Sequence, residues 1–119
     1  MITENYVSYD TAKLLKEKGF NEECSRFYMP NGYVVWKYDH YHNFDIRERI
    51  ECPTLQMAMK WLREVHKMFI QVELYSKYEN YCFELFQNTH RLMVEHREVY
   101  STYEEATEAA IKYCLEHLI

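Results

Sequence analysis

Apolar residues recur at helical spacing in three parts of the chain, and each part has recognisable end signals. The first predicted helix begins with Ser8 as its N-cap and ends at Gly19, with Phe20 folding back on the last turn. The second predicted helix follows the cap residue Thr54. Its apolar stripe consists of Leu55, Ala58, Leu62 and Val65, widened by Met59 and Trp61.

The third predicted helix is long and begins with two overlapping start signals. Thr102 with Glu105 fits a capping box, as does Ser101 with Glu104. Its apolar side consists of Ala106, Ala109, Ala110, Tyr113, Cys114, Leu115 and Leu118. The alanines allow a close approach to a sheet, and the spacing puts the glutamates of this helix on the solvent side. Those glutamates are Glu104, Glu105, Glu108 and Glu116.

A β-hairpin is predicted between the first two helices. Residues 26–29 and 33–38 are joined by Pro30-Asn31-Gly32, in which proline fixes an early φ of the turn and Asn-Gly tolerates a positive φ. The following residues, 39–52, are polar and aromatic without a steady period. They predict an irregular loop, within which a short strand at 46–51 is an alternative whose place in a sheet stays open.

A three-stranded meander is predicted after the second helix. Residues 68–75 alternate with period two, which is typical of a strand with one wet face. The apolar face consists of Met68, Ile70, Val72 and Leu74, and the polar face of Gln71 and Glu73. Residues 81–87 and 92–96 form the next two predicted strands. The turns at 76–80 and 88–90 are short, which favours antiparallel neighbours.

Together these elements predict an α+β fold in the order α-β-β-α-β-β-β-α, with an antiparallel sheet covered by helices on one face. The chain has 119 residues, of which 48% are hydrophobic and only two are glycine. This is enough apolar material for one core, so we expect residues 1–119 to form a single globular domain.

The charge balance disfavours nucleic-acid binding. The chain has 14 basic and 19 acidic residues, a formal net charge of −5, whereas nucleic-acid-binding domains usually have a basic surface. The order α-β-β-β-α over 54–119 is also that of a double-stranded RNA-binding domain. However, Glu104 and Glu105 stand where that family has phosphate-binding lysines. A nucleic-acid-binding module is therefore the second alternative function.

The sequence predicts a cytoplasmic protein with no membrane association. Residues 1–6 show no basic segment followed by an apolar run, and no apolar stretch reaches the ~20 residues of a membrane span. The cysteines at 24, 52, 82 and 114 are widely spaced and contain no CxxC pair. In a reducing compartment we expect them to be thiols.

The densest group of reactive side chains lies at 39–45. In an extended loop, His40 and His42 would point the same way and could share a metal ion with Asp39 or Asp45. A polar surface loop is the simpler interpretation, because two histidines are too few ligands for a closed zinc site. We therefore assign no catalytic, cofactor-binding or metal-binding residue. A small metal- or ligand-binding enzyme that uses the 39–45 loop is the first alternative function.

Tyrosine is the unusual component of this composition, with twelve copies. Those around the predicted meander are Tyr75, Tyr78, Tyr81, Tyr100 and Tyr103. Tyrosine is enriched in protein interfaces, although aromatic residues also close the edges of small sheets. Because no catalytic motif is recognisable, the leading hypothesis is a non-enzymatic accessory protein that binds another protein or a second copy of itself.

Several sequence phrases in the helical segments carry a family resemblance. They are ENYVS and LLKEKGF in the first segment, CPT and WLREVH in the second, and TYEEA and AIKYCLE in the third. With these phrases the chain resembles small uncharacterised proteins of Bacteroides-group bacteria and their phages or mobile elements. The resemblance implies a bacterial or phage origin and a cytoplasmic location, and it implies no activity, cofactor or catalytic residue.

Overall fold

The computed structural model confirms the α+β class, and its order of elements roughly matches the prediction, with a short additional strand before the second helix. It describes residues 1–37, 48–75, 79–88, 90–92, 94 and 98–119. Within this part of the chain the helices are α1 (Tyr9–Glu17), α2 (Leu55–His66) and α3 (Tyr103–Tyr113), and a π-helical turn, Cys114–Leu118, continues α3. The strands are β1 (Arg26–Tyr28), β2 (Val34–Trp36), β3 (Ile50–Glu51), β4 (Met68–Tyr75), β5 (Asn80–Gln87) and β6 (His90–Leu92).

The described strands form two antiparallel sheets instead of one continuous sheet. The first has the order β2-β1-β3 and the second has the order β4-β5-β6. The short strand that the sequence left open at 46–51 is β3, in which Ile50 pairs with Tyr28 and Glu51 with Phe27. The chain turns into α2 three residues after β3, so it leaves the first sheet before β4 begins.

The ends of α1 are built as the sequence predicts. The Ser8 hydroxyl accepts a hydrogen bond from the Thr11 N–H, which satisfies one of the unpaired donors of the first turn. At the other end the Phe20 N–H donates to the Leu15 carbonyl over 2.9 Å, and Gly19 has a φ of +99°. This is a Schellman closure, which needs a residue with left-handed backbone geometry at that position.

The hairpin turn of the first sheet also follows the prediction. The Gly32 N–H donates to the Met29 carbonyl over 2.8 Å and closes a turn through Pro30 and Asn31. Gly32 has a φ of +91°, which L side chains rarely adopt. Beyond the turn, the register of β1 and β2 places Phe27 opposite Val35. Residues 38–47 lie outside the described residues, and the His40 and His42 hypothesis lies there with them.

One core cluster contains residues of both sheets and all three helices. Tyr28 and Ile50 come from the first sheet, and Met68 and Leu85 come from the second. The helical members are Ala12, Leu15, Leu55, Ala58, Trp61, Leu62, Ala110 and Ile111. Since α2 contacts β4 and α3 contacts both β4 and β5, the helices cover the face of the second sheet that carries Ile70, Val72 and Leu85.

Two apolar positions that the sequence assigned to a buried face are exposed. Val65 is 56% exposed, because it lies in the last turn of α2, which ends at His66. Leu74 is 60% exposed, although it lies on the same face of β4 as Ile70 and Val72, which pack against the core. Apolar periodicity therefore identified the correct faces but not how far along each element the core extends.

The last strand of the second sheet begins two residues earlier than predicted. The sequence predicted a turn at 88–90 and a strand over 92–96, whereas β6 starts at His90, which pairs with Gln87. Asn88 makes this tight connection with a φ of +50°, a conformation that asparagine tolerates better than most residues. Of the predicted strand, residues 93, 95 and 96 lie outside the described residues.

We predict that Gly19→Ala destabilises the protein through backbone strain alone. A β-carbon at this position would meet no atom within 4 Å, so the cost is that of holding alanine at a φ of +99°. The free energy of unfolding should fall by about 1–2 kcal/mol in urea titrations. The control Glu17→Ala, an exposed position of the same helix, should change it by less than about 0.5 kcal/mol. Equal effects of the two variants would contradict the Schellman assignment.

Candidate functional site

The most distinctive surface of the described chain is the side of β4 that faces away from β5. Tyr81 of β5 lies opposite Leu74 of β4, yet it exchanges both of its main-chain hydrogen bonds with Tyr100, over 2.8 and 2.7 Å. Its N–H and C=O groups therefore point away from β4. Main-chain direction alternates along a strand, so the residues on either side of Tyr81 are those that bond β4.

This alternation fixes which groups of β4 point outward. Glu73 and Gln71 lie opposite Cys82 and Glu84 and direct their N–H and C=O groups toward β5. The alternate residues direct theirs away from the sheet, and they are Met68, Ile70, Val72 and Leu74. We call this row of main-chain groups the outer edge of β4. Within the described residues, no hydrogen bond reaches it.

Three large apolar side chains of β4 are exposed beside this edge. Phe69 is 43% exposed, Leu74 is 60% exposed and Tyr75 is 52% exposed. Single exposed apolar residues are common, but three within seven residues of one edge strand form a concentrated surface. Phe69 and Tyr75 lie on the outer face of the sheet, the face that the helices do not cover, and Leu74 lies on the inner face.

The outer face of the second sheet also carries an ion pair between β5 and β6. Arg91 of β6 lies 2.8 Å from the carboxylate of Glu84 on β5. On β4 itself the only charged residue is Glu73. The edge strand thus carries a single charged side chain.

The tyrosine cluster of the sequence divides into structural and exposed members. Tyr100 stacks on Phe83 with a centroid distance of 6.2 Å and pairs with Tyr81 through the main chain. Tyr81 in turn meets the Tyr103 ring edge-on at 6.1 Å. These rings lie along the side of β5 that faces away from β4, as expected if aromatic residues close the edge of a small sheet. Tyr75 belongs to the exposed surface beside β4, and residue 78 lies outside the described residues.

Glu108 corrects the prediction that every glutamate of α3 faces solvent. Its Oε1 accepts hydrogen bonds from the Ser8 N–H at 2.9 Å and from the buried Thr11 hydroxyl at 2.7 Å. The Ser8 hydroxyl donates to Thr11 in turn, over 3.1 Å. The carboxylate therefore caps the positive end of α1 from another helix. Helical spacing alone could not reveal this contact, because the partners lie about a hundred positions apart in the sequence.

The most enclosed of the cavities found, of about 410 Å³, is lined by three basic and two acidic side chains. Its lining residues are Lys16, Phe20, Asn21, Glu23, Lys37, Arg49 and Glu51. The Lys37 ammonium lies 2.6 Å from Glu51 and 3.3 Å from Glu23, while the Arg49 guanidinium lies over the Phe27 ring at 4.8 Å. The cavity lies between α1 and the first sheet, and most of its lining residues are polar or charged.

The buried thiols are poorly suited to nucleophilic chemistry. Burial raises the pKa of Cys24 to about 12, with the Glu51 carboxylate adding to the shift. Burial likewise raises the pKa of Cys114 to about 12 and also raises the pKa of Cys52. The thiolate is the reactive form, so at neutral pH these three side chains act as small apolar groups.

Comparisons with known proteins do not assign this surface. No family model, curated protein or solved structure matches the chain. Two further findings concern the described residues alone. They contain no group of three or more histidine, cysteine or acidic side chains placed to hold a metal ion. None of their helices has both the length and the apolar content of a membrane span.

We predict that Glu108→Ala destabilises the protein by about 2 kcal/mol, because two donors at the start of α1 lose a charged acceptor. Glu108→Gln retains an acceptor oxygen and should cost less. The matched control is Glu116→Ala, an exposed acid that follows the same helix and should change stability by less than about 0.5 kcal/mol. Chemical denaturation measures all three variants. A loss no larger for Glu108→Ala than for Glu116→Ala would refute the cap.

We also predict that stability decreases as the pH rises from 9 to 12. The Cys24 and Cys114 thiols ionise near pH 9.0 in the unfolded chain and at about 12 in the folded chain. Between these values the unfolded chain releases protons that the folded chain retains, so the free energy of unfolding falls. Urea midpoints measured across this range should fall less steeply for Cys24→Ala than for the wild type. Parallel slopes would contradict the assignment.

Proposed function

We propose that this protein acts by binding another polypeptide chain along the outer edge of β4, without catalysing a reaction. One observation carries the proposal. An eight-residue strand at the edge of its sheet combines a row of outward main-chain groups with exposed apolar side chains. Extended polypeptides bind such edges by adding a strand, with main-chain hydrogen bonds supplying affinity and alternate side chains supplying selectivity.

The sequence of β4 lacks the features that usually keep a sheet edge from pairing. Natural edge strands are protected by lysine, proline, bulges or short length. β4 contains neither lysine nor proline, and its register with β5 is uninterrupted from Met68 to Tyr75. An edge of this kind is exposed to pairing with any compatible strand, which supports a role in binding over a role as a mere boundary of the domain.

The alternatives have less support than the binding hypothesis. The net charge of −5 disfavours a nucleic-acid partner. Nucleophilic catalysis by Cys24, Cys52 or Cys114 is disfavoured by the raised pKa of each thiol. The loop at 39–45, on which the metal- or ligand-binding enzyme depends, lies outside the described residues. The binding hypothesis, by contrast, rests on contacts and exposures of described residues.

The test compares two substitutions at one position. Leu74→Pro removes an outward N–H group that β5 does not use, whereas Leu74→Ala shortens the same side chain and keeps that group. We predict that proline weakens binding by at least about tenfold relative to alanine, because it eliminates a main-chain hydrogen bond and obstructs strand addition. Binding is measured as self-association by light scattering and as capture of proteins from a bacterial lysate.

The controls separate binding from folding. Both variants should keep the circular dichroism spectrum and nearly the melting temperature of the wild type, because position 74 is at the exposed end of β4. Met57→Lys, at an exposed site on α2, should bind like the wild type. The proposal fails if the wild type neither associates nor captures a protein, or if Leu74→Pro binds as well as Leu74→Ala.

A further inference from the structure

We infer that the strand that docks on the outer edge of β4 is β4 of a second copy of this chain, antiparallel, about a two-fold axis at Val72. This inference rests on the proposed function, because it names the occupant of the same edge. It follows from the directions of the main-chain groups, from the sequence of β4 and from the distribution of its exposed side chains.

Symmetry limits the registers that two β4 strands can adopt. In a continuous sheet the core-facing residues of one copy must lie beside those of the other, since a shift by one residue would exchange the two faces. A two-fold axis at a residue meets this condition. The central positions for such an axis are Gln71, Val72 and Glu73.

An axis at Val72 produces compatible pairs at every described position from Phe69 to Tyr75. Phe69 lies opposite Tyr75 of the second copy, and Ile70 lies opposite Leu74 of the second copy. Gln71 lies opposite Glu73 of the second copy, which places an amide donor beside a carboxylate. Aromatic, aliphatic and polar side chains thus each face a partner of their own kind.

The other two axes produce poorer pairs. An axis at Glu73 places the two Glu73 carboxylates directly opposite each other, and like charges at that position are destabilising. An axis at Gln71 places Phe69 opposite Glu73 of the second copy. It also places Tyr75 opposite Lys67, which lies outside the strand with a φ of +58°. The register at Val72 alone avoids both defects.

The same register satisfies the outer edge of β4. Val72 points its N–H and C=O groups outward, so the two Val72 residues would exchange a pair of hydrogen bonds at the axis. Ile70 and Leu74 also point outward and would exchange hydrogen bonds with Leu74 and Ile70 of the second copy. The pairing covers Phe69, Leu74 and Tyr75, the exposed apolar side chains of this strand, and joins the two second sheets into one.

The experiment tests both the dimer and its register. In a Cys82→Ala background, which removes the thiol opposite position 73, the double variant Gln71→Cys/Glu73→Cys places thiols directly across the Val72 axis. In the same background, Phe69→Cys/Glu73→Cys places thiols opposite each other if the axis is at Gln71. Glu73→Cys alone places thiols opposite each other if the axis is at Glu73. Each protein is oxidised mildly and examined on non-reducing gels, while light scattering determines the mass of the wild type.

We expect the wild type to be a dimer and the first variant to form covalent dimer at least about tenfold faster than the other two. Leu74→Pro should raise the dimer dissociation constant by roughly thirtyfold, because symmetry removes its hydrogen bond twice. Cross-linking of either comparison variant at about the same rate as the first variant, or faster, would overturn the register, because an axis at Gln71 or Glu73 also places two thiols of the first variant opposite each other. If the wild type is monomeric but captures another protein, and Leu74→Pro abolishes that capture, the inference of a second copy is wrong and the proposed function stands. A monomer with no capture would overturn both.

Discussion

The uninterrupted register between β4 and β5 is the constraint on which the functional argument depends. In a strand, the side chain of each residue points to one face of the sheet, and its N–H and C=O groups point to one neighbouring strand or edge. Because Tyr81 exchanges both of its main-chain hydrogen bonds with Tyr100, donating one and accepting the other, the alternation along β4 follows from the register. The inner-face residues of β4 are then also those whose N–H and C=O groups point outward.

The rest of the fold supports this strand from one side. α2 and α3 lie against the inner face, where Met68 and Leu85 are fully buried. Further from the edge, the first sheet joins the same core through Tyr28, whose hydroxyl donates to the Val7 carbonyl over 2.9 Å. The start of β4 is therefore part of the core, whereas Leu74 and Tyr75 at its end are exposed.

Local features of this fold were predictable because local residues determine them. The caps at Ser8, Thr54 and Thr102 each accept a hydrogen bond from the residue three positions later, so a short sequence is enough to identify them. The same applies to the closure at Gly19 and to the turn at Gly32, where the required φ is positive. Faces of strands and helices follow from periodicity in the same way.

Features that depend on distant contacts were not predictable from these patterns. Whether Val65 and Leu74 are covered depends on how far neighbouring elements extend, which spacing along one element does not encode. The inward position of Glu108 depends on donors of α1. The candidate site is of this second kind. Periodicity predicted a half-exposed strand, but only the arrangement of the strands shows that β4 lies at the edge of the sheet that the described residues form.

The bond between Glu108 and Thr11 has a consequence for how the protein is made in a cell. The two residues are 97 positions apart, and the Lys18 ammonium reaches the main-chain oxygen of Ile119 across a separation of 101 positions. During synthesis, α1 emerges from the ribosome long before either acceptor exists. The nascent chain must therefore hold its first helix without these contacts until about a hundred further residues have been synthesised.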